Sequence, residues 1–125
     1  MSYYHDVYNN IESAIRELAE FRLANALPVT TDAMRDDVHD YALDPENWGY
    51  KGGNWGEIGE FLDNEGSAFI SWDPMSDVDY RELLIDADGL QAYILEYLFD
   101  RIYSESALEM LETAVSAIEA EQEED

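Results

Sequence analysis

The last third of the chain, residues 86–125, carries the strongest structural signal. Its apolar residues recur at steps of three and four, and no proline interrupts them. This spacing places side chains on one face of an α-helix with 3.6 residues per turn. A helix over residues 88–120 would be roughly 50 Å long at a rise of about 1.5 Å per residue. The predicted apolar face comprises Leu90, Tyr93, Ile94, Tyr97, Leu98, Ile102, Leu108, Leu111, Val115 and Ile118.

Acidic residues form a second row along the same predicted helix. Glu105, Glu109, Glu112 and Glu119 follow one another at intervals of four, three and seven residues, before an acidic tail at about residues 120–125. Like charges at such spacing weaken an isolated helix by a few tenths of a kcal/mol per pair. Arg101 is the only basic residue of this segment. The helix therefore carries carboxylates that its own cations do not neutralise.

The acidic excess extends over the whole chain and limits its possible partners. Thirty Asp and Glu residues stand against 6 Lys and Arg, which gives a net charge of -24. Such a surface repels nucleic acid and anionic membranes, so a macromolecular partner should be basic. A hydrophobic content of 46% with 13% aromatic residues favours a folded chain over a disordered acidic polymer. The length predicts one domain over residues 1–125.

The absence of cysteine and of long apolar segments suits a cytoplasmic protein. The chain has no Cys, so disulfide and thiolate chemistry are excluded. Neither a basic, then apolar leader nor an apolar run of 18 residues is present. We expect no contact with membranes.

Shorter amphipathic segments precede the long helix. Three helices are predicted from apolar spacing and from helix-starting and helix-ending residues, at residues 4–26, 32–43 and 54–64. A further turn of helix is predicted over residues 76–83. The fold class predicted is all-α, with three shorter helices packed on one long C-terminal helix in an elongated acidic protein.

The third predicted helix is bounded by local signals. Asn54 with Glu57 resembles an N-cap and its reciprocal partner, and Gly66 is placed to cap the C-terminus. The glycine-rich residues 48–53 predict a loop before it. Residues 67–72 form a segment too short and isolated to imply a sheet.

Catalytic and metal-binding patterns are weak in this sequence. His5 and His39 are the only histidines, and neither lies in a zinc-binding pattern. The acidic cluster around His39 is more typical of a solvated helix face than of a metal site. Asp86 and Asp88 before Gly89 imitate part of a calcium loop, but leucines stand at the first and twelfth positions. We predict no catalytic residues, no metal and no cofactor.

Three interpretations of the charge remain open. The acids could hydrate a halophilic or otherwise acidic structural protein. They could form an acidic chaperone-like surface for a basic partner. They could also imitate DNA phosphates and occupy the groove of a DNA-binding protein. Carboxylates at i, i+4 and i+7 lie roughly 5 to 6 Å apart along a helix, comparable to the separation of neighbouring phosphates on one strand. This spacing favours the third interpretation.

The sequence also resembles the bacteriophage Ocr family of anti-restriction proteins. The resemblance is carried, in order along the chain, by Tyr8-Asn9-Asn10, by Asp37-Val38-His39-Asp40 with Ala42, by Glu57-Ile58 through Glu65-Gly66, and by Ile94-Leu95 through Arg101-Ile102-Tyr103, before a glutamate-rich end. It implies an all-α homodimer shaped like bent DNA that blocks type I restriction-modification enzymes by filling their DNA channel. It also implies that other DNA-binding host defence proteins can be occupied.

The resemblance further implies a dimer contact through apolar side chains of the third helix and the start of the long helix. Gly59 and Asp63 stand where that family has apolar residues, so other side chains have to supply the contact. The candidate dimer residues are Trp55, Ile58, Phe61, Leu62 and Ile94.

We therefore predict a non-enzymatic DNA mimic that binds a protein with a basic groove and does not bind nucleic acid itself. Each carboxylate would stand in for a phosphate and face a Lys or Arg of the partner. The candidate phosphate mimics are Asp32, Asp36, Asp37, Asp40, Glu57, Glu60, Asp77, Asp79, Glu96, Asp100, Glu105, Glu109, Glu112 and Glu119.

Overall fold

Every regular element of the described chain is helical, which confirms the predicted all-α class. The structure is a computed structural model and describes residues 3–44, 55–83 and 85–123. The predicted loop before Trp55, the Asn54 cap and the last two residues of the acidic tail lie outside these ranges. The elements are α1 (Tyr3–Ala24), α2 (Thr31–Ala42), α3 (Trp55–Ile70), a 3₁₀ turn (Asp73–Met75), α4 (Tyr80–Leu83) and α5 (Ala87–Glu123).

The turn between α1 and α2 is fixed by two caps. α1 ends two residues earlier than predicted, because Ala26 adopts a left-handed conformation with φ of 56°. The Leu27 N–H then donates to the Arg22 carbonyl at 2.9 Å, as in a Schellman motif. The Thr30 hydroxyl accepts the Ala33 N–H at 3.1 Å and starts α2. This turn brings α2 back alongside α1.

α3 is longer than predicted, and the proposed Gly66 cap is wrong. The helix continues through Gly66, which has no positive φ. A glycine inside a helix costs about 1 kcal/mol relative to alanine. Continuation brings Phe69 into the core, where its ring lies 5.5 Å from that of Phe61 and 5.6 Å from that of Tyr97. Burial of Phe69 outweighs the local glycine signal.

α5 begins at a side-chain cap and continues unbroken for 37 residues. The Asp86 carboxylate accepts the Gly89 N–H at 3.1 Å, which satisfies one of the free donors at the helix start. At about 1.5 Å per residue the helix is about 55 Å long, and it packs against the other helices. Within the described residues, no helix combines the length and apolarity that a membrane crossing needs.

The first half of α5 is surrounded by the other helices. Gln91 accepts a 2.6 Å hydrogen bond from Tyr3 of α1. Tyr97 packs on the aromatic rings of α3. Phe99 meets the edge of His39 of α2 at a ring distance of 4.9 Å. The buried side chains of this half therefore point to several sides of the helix.

The second half of α5 buries only one side. From Tyr103 onward, its buried residues are Tyr103, Ala107, Met110, Leu111, Ala114 and Ile118. At about 100° per residue, these positions face away from the row of glutamates. Leu108, which the sequence placed on the apolar face, is 63% exposed. That prediction is wrong because the buried face changes direction along the helix.

Candidate protein-interaction surface

Two arginines bridge pairs of helices. Arg22 of α1 lies 3.1 Å from Asp37 of α2, and Arg35 of α2 lies 2.8 Å from Asp100 of α5. Asp100 also accepts a 3.3 Å hydrogen bond from the Trp72 indole. These contacts pair two of the predicted phosphate mimics, Asp37 and Asp100, with arginines of the same chain.

Arg101 bridges α5 to α3. Its guanidinium pairs with Glu65, donates to the Tyr97 hydroxyl at 3.3 Å, and lies 3.6 Å from Glu105 one turn further on. The hydrogen bonds to Tyr97 and Glu65 raise the pKa of Arg101 above its ordinary value. Arg22, Arg35 and Arg101 thus pair with carboxylates at contacts between helices.

His39 lies between two predicted phosphate mimics. Its Nε2 atom is 2.8 Å from a Glu96 oxygen on α5, and its Nδ1 atom is 3.5 Å from Asp40. The ring is half-buried against Phe99. The cluster around His39 therefore ties α2 to α5 through a carboxylate. In the described part of the chain, no three His, Asp or Glu side chains are arranged to hold a metal ion.

The predicted phosphate mimics lie at the surface. Glu57 and Asp100 are half-buried, and the others are exposed. Asp37, Asp40, Glu96, Asp100 and Glu105 contact an Arg or His. Eight others are exposed and make no ion pair with any Arg or His in the described residues. We call them the unpaired carboxylates: Asp32, Asp36, Glu60, Asp77, Asp79, Glu109, Glu112 and Glu119.

The acidic residues of α5 do not share one face. Glu96 and Asp100 point toward α2, where they meet His39 and Arg35. At about 100° per residue, the later glutamates fall within an arc of about 80° on the opposite side. We call these later residues the outer acidic row: Glu105, Glu109, Glu112 and Glu119. Among the described side chains of α5, the outer acidic row forms an exposed line of carboxylates.

Tyr103 joins α5 to the start of α2. Its hydroxyl donates to the Thr31 carbonyl, and its ring stacks on Phe99 at 5.3 Å. Burial raises the pKa of Tyr103 to about 12, with Arg35 opposing this rise and Asp32 adding to it. Asp32 thus lies close enough to act electrostatically on this contact.

This contact predicts a loss of stability at alkaline pH. An unfolded tyrosine ionises near pH 10, so the folded chain binds this proton more tightly. The resulting stabilisation is complete below about pH 10 and disappears as the pH rises toward about 12. Urea unfolding across this window should show a smaller pH-dependent loss for Tyr103→Phe than for the wild type. Equal losses in the two proteins would contradict this assignment.

The candidate dimer residues are mostly inside the single chain. Ile58, Phe61 and Ile94 are buried in its core, and Leu62 is half-buried. Trp55 alone among them is largely exposed. A second copy could therefore reach Trp55, whereas the three buried side chains have little surface to offer. The dimer contact stays a prediction.

Several surface residues were not selected from the sequence. The carboxylates of Glu12, Glu17 and Glu20 on α1 are also exposed. Like the selected acids, they lie off the apolar face of a predicted helix, so the sequence indicated their exposure too. The sequence did not indicate the ion pairs of Arg22 with Asp37 and of Arg35 with Asp100, because the two members of each pair lie on different helices.

The described surface can attract and hold cationic groups through separate carboxylates, some of them in rows on α2 and α5. Comparisons of the chain with family models, with curated proteins and with solved structures gave no match.

Proposed function

We propose that this protein is a non-enzymatic DNA mimic. It inhibits a host DNA-binding defence enzyme, in the first place a type I restriction-modification enzyme, by occupying the DNA-binding channel. The proposal rests on a difference between the two kinds of charged residue: arginines lie in contacts between helices, and many carboxylates lie unpaired at the surface. Arg22, Arg35 and Arg101 are used to bridge helices, whereas the unpaired carboxylates remain at the surface without cations from the described residues.

Electrostatics supplies the long-range part of such binding. A DNA channel carries Lys and Arg residues that neutralise phosphates and release their counterions. A chain with a net charge of -24 presents a comparable anionic surface to that channel. Association should be fast and should weaken steeply as salt is added.

Helical geometry supports a regular arrangement of these charges. The outer acidic row extends over 14 residue steps of α5, from Glu105 to Glu119, or about 21 Å along the axis. On α2, Asp32, Asp36 and Asp40 follow one another at steps of four residues, about 6 Å apart. Each row therefore holds carboxylates at regular spacing on its own helix. The homodimer implied by the resemblance to the Ocr family would double the number of such rows.

Competition for a DNA site tests the proposal directly. A purified type I restriction-modification enzyme would be loaded with a fluorescent duplex containing its recognition site. Addition of this protein should displace the duplex. Its own affinity, calculated with the duplex affinity measured at the same salt, should fall as salt rises from about 50 to 200 mM. No displacement at the lower salt concentration would contradict the proposal for this enzyme class.

A second candidate is a halophilic or acidic structural protein, which the same exposed carboxylates favour. Thermal melts separate it from the mimic. We expect cooperative unfolding even at about 10 mM salt, where charges interact over about 30 Å, because three arginine bridges connect the helices. Repulsion should lower the melting temperature relative to about 0.15 M salt without unfolding the chain. A chain unfolded in dilute buffer at 20 °C would favour the halophilic alternative.

The remaining interpretation, an acidic chaperone-like protein for a basic partner, makes a different prediction in the competition experiment. It would bind its partner at a surface that does not overlap a DNA-binding site. Binding that duplex DNA does not affect would therefore favour this alternative.

A further inference from the structure

An open apolar groove lies between the turn that precedes α2 and the outer half of α5. It has a volume of about 560 Å³ and is wide open to solvent. One wall is formed by Val29, Thr30 and Thr31, and the other by Leu108, Leu111, Glu112, Val115 and Ser116. We call the part formed by Val29, the Thr31 methyl group, Leu108, Leu111 and Val115 the apolar groove.

Leu108 is the unusual member of the apolar groove. Its side chain is 63% exposed, and it lies three residues after Glu105 and four before Glu112. A side chain at this position contributes little to the core, and a single exposed leucine needs no explanation by itself. Here, however, Leu108 borders a concave apolar surface that continues to Leu111 and Val115.

One acidic side chain lines the apolar groove, and a second follows its other wall in sequence. Glu112 lines it on α5. Asp32, which follows Thr31, is exposed at the start of α2, and its charge acts on the Tyr103 hydroxyl that binds the Thr31 carbonyl. That hydrogen bond and the Thr30 cap fix the wall formed by the turn. The opening is therefore lined mainly by apolar groups, with the Glu112 carboxylate among them and Asp32 next to Thr31 in sequence.

We propose that the apolar groove receives an apolar side chain of the DNA-binding protein that this chain inhibits, while flanking Lys or Arg side chains contact Asp32 and Glu112. The inference rests on the proposed function. Charge complementarity favours a basic occupant, because Glu112 lines the groove and the exposed Asp32 follows Thr31. DNA-binding surfaces also carry apolar side chains among their basic ones, for contact with thymine methyl groups or for insertion between bases.

This contact gives the inhibitor an attraction that phosphate imitation alone does not supply. Electrostatic binding falls steeply as salt rises, whereas burial of apolar surface is not weakened by screening. The apolar groove therefore supplies the part of the affinity that persists at high salt.

The experiment compares two neutral substitutions in the DNA-competition assay with a type I restriction-modification enzyme. Leu108→Gln removes the exposed apolar side chain and keeps good helix propensity. Ile85→Gln is the matched control, because Ile85 is 86% exposed and lies before α5, more than 20 residues from Leu108. Affinity would be measured at about 50, 100 and 200 mM salt.

Leu108→Gln should weaken inhibition about tenfold at every salt concentration, the loss expected for one buried apolar side chain. The slope of affinity against salt should remain that of the wild type, and Ile85→Gln should bind like the wild type. If the wild type competes with DNA and Leu108→Gln binds with the same affinity, the proposed role of the apolar groove is overturned and the proposed function is not. Failure of the wild type to displace DNA would overturn the proposed function and this inference together. A dimer that Leu108→Gln converts to a monomer in sedimentation would assign the groove to a second copy and overturn the inference.

Discussion

Neutralising the unpaired carboxylates together is expected to abolish competition with DNA. A protein that makes six to ten phosphate contacts loses about 10³- to 10⁵-fold in affinity between 50 and 200 mM salt, so removal of as many anionic contacts should cost at least about 10³-fold. The variant combines Asp32→Asn, Asp36→Asn, Glu60→Gln, Asp77→Asn, Asp79→Asn, Glu109→Gln, Glu112→Gln and Glu119→Gln.

The chain offers a control of equal charge. Eight other exposed carboxylates, which we did not predict to face the partner, can be neutralised in the same way. They are Glu12, Glu17, Glu20, Asp63, Asp73, Glu82, Asp86 and Asp88. The control should weaken competition far less if position matters as well as net charge. Equal loss in both variants would show that net charge alone determines binding.

The fold should survive the substitution of the unpaired carboxylates. Asn retains the capping oxygen of Asp79, which accepts the Arg81 N–H at 3.0 Å. Removal of like charges should also reduce repulsion and stabilise the chain slightly. Circular dichroism would establish that the variant is folded. A single neutralisation, by contrast, should cost at most about 1 kcal/mol, as for exposed ion pairs in general.

Phe99→Ala is expected to give the largest loss of stability among single substitutions considered for this chain. Phe99 is fully buried where α2 meets α5. Its ring stacks on Tyr103 at 5.3 Å, meets the edge of His39 at 4.9 Å, and lies 5.5 Å from the Arg35 guanidinium. Loss of a buried Phe costs about 3–5 kcal/mol, out of a total of roughly 5–15 kcal/mol for a typical domain.

Urea unfolding followed by circular dichroism would measure this loss at fixed salt. Phe21→Ala is the matched control, because Phe21 is 59% exposed on α1, and surface substitutions usually change stability by about 0.5 kcal/mol or less. A loss below about 1 kcal/mol for Phe99→Ala would show that the contact between α2 and α5 is not the one described.

The fold was predictable where local signals and packing agree. The helical class and the unbroken C-terminal helix follow from apolar spacing without proline. The end of α3 could not be predicted from local sequence, since Gly66 predicts a helix end. The contacts of Phe69 with Phe61 and Tyr97 in the core explain why the helix continues.

The candidate surface was predictable in part for a related reason. Acidic residues off an apolar face point to solvent whatever packs on the other side, so exposure of Asp36 or Glu109 follows from the sequence. The pairing of Asp100 and Glu96 with groups of the same chain does not, because Arg35 and His39 reach them from a helix more than 50 residues away in sequence. Leu108 was misassigned because the sequence does not show how many helices surround each part of α5.

The continuity of α5 makes helical register more important than residue type. Insertion of one residue between Asp100 and Glu105 would turn everything downstream by about 100° and advance it by about 1.5 Å. The outer acidic row would then swing toward a neighbouring helix, and apolar residues would turn toward water. Substitutions that keep the polarity of a position are tolerable along α5. A change in its length by one residue, in contrast, would rotate one half of the helix relative to the other, so that both could no longer face their present neighbours.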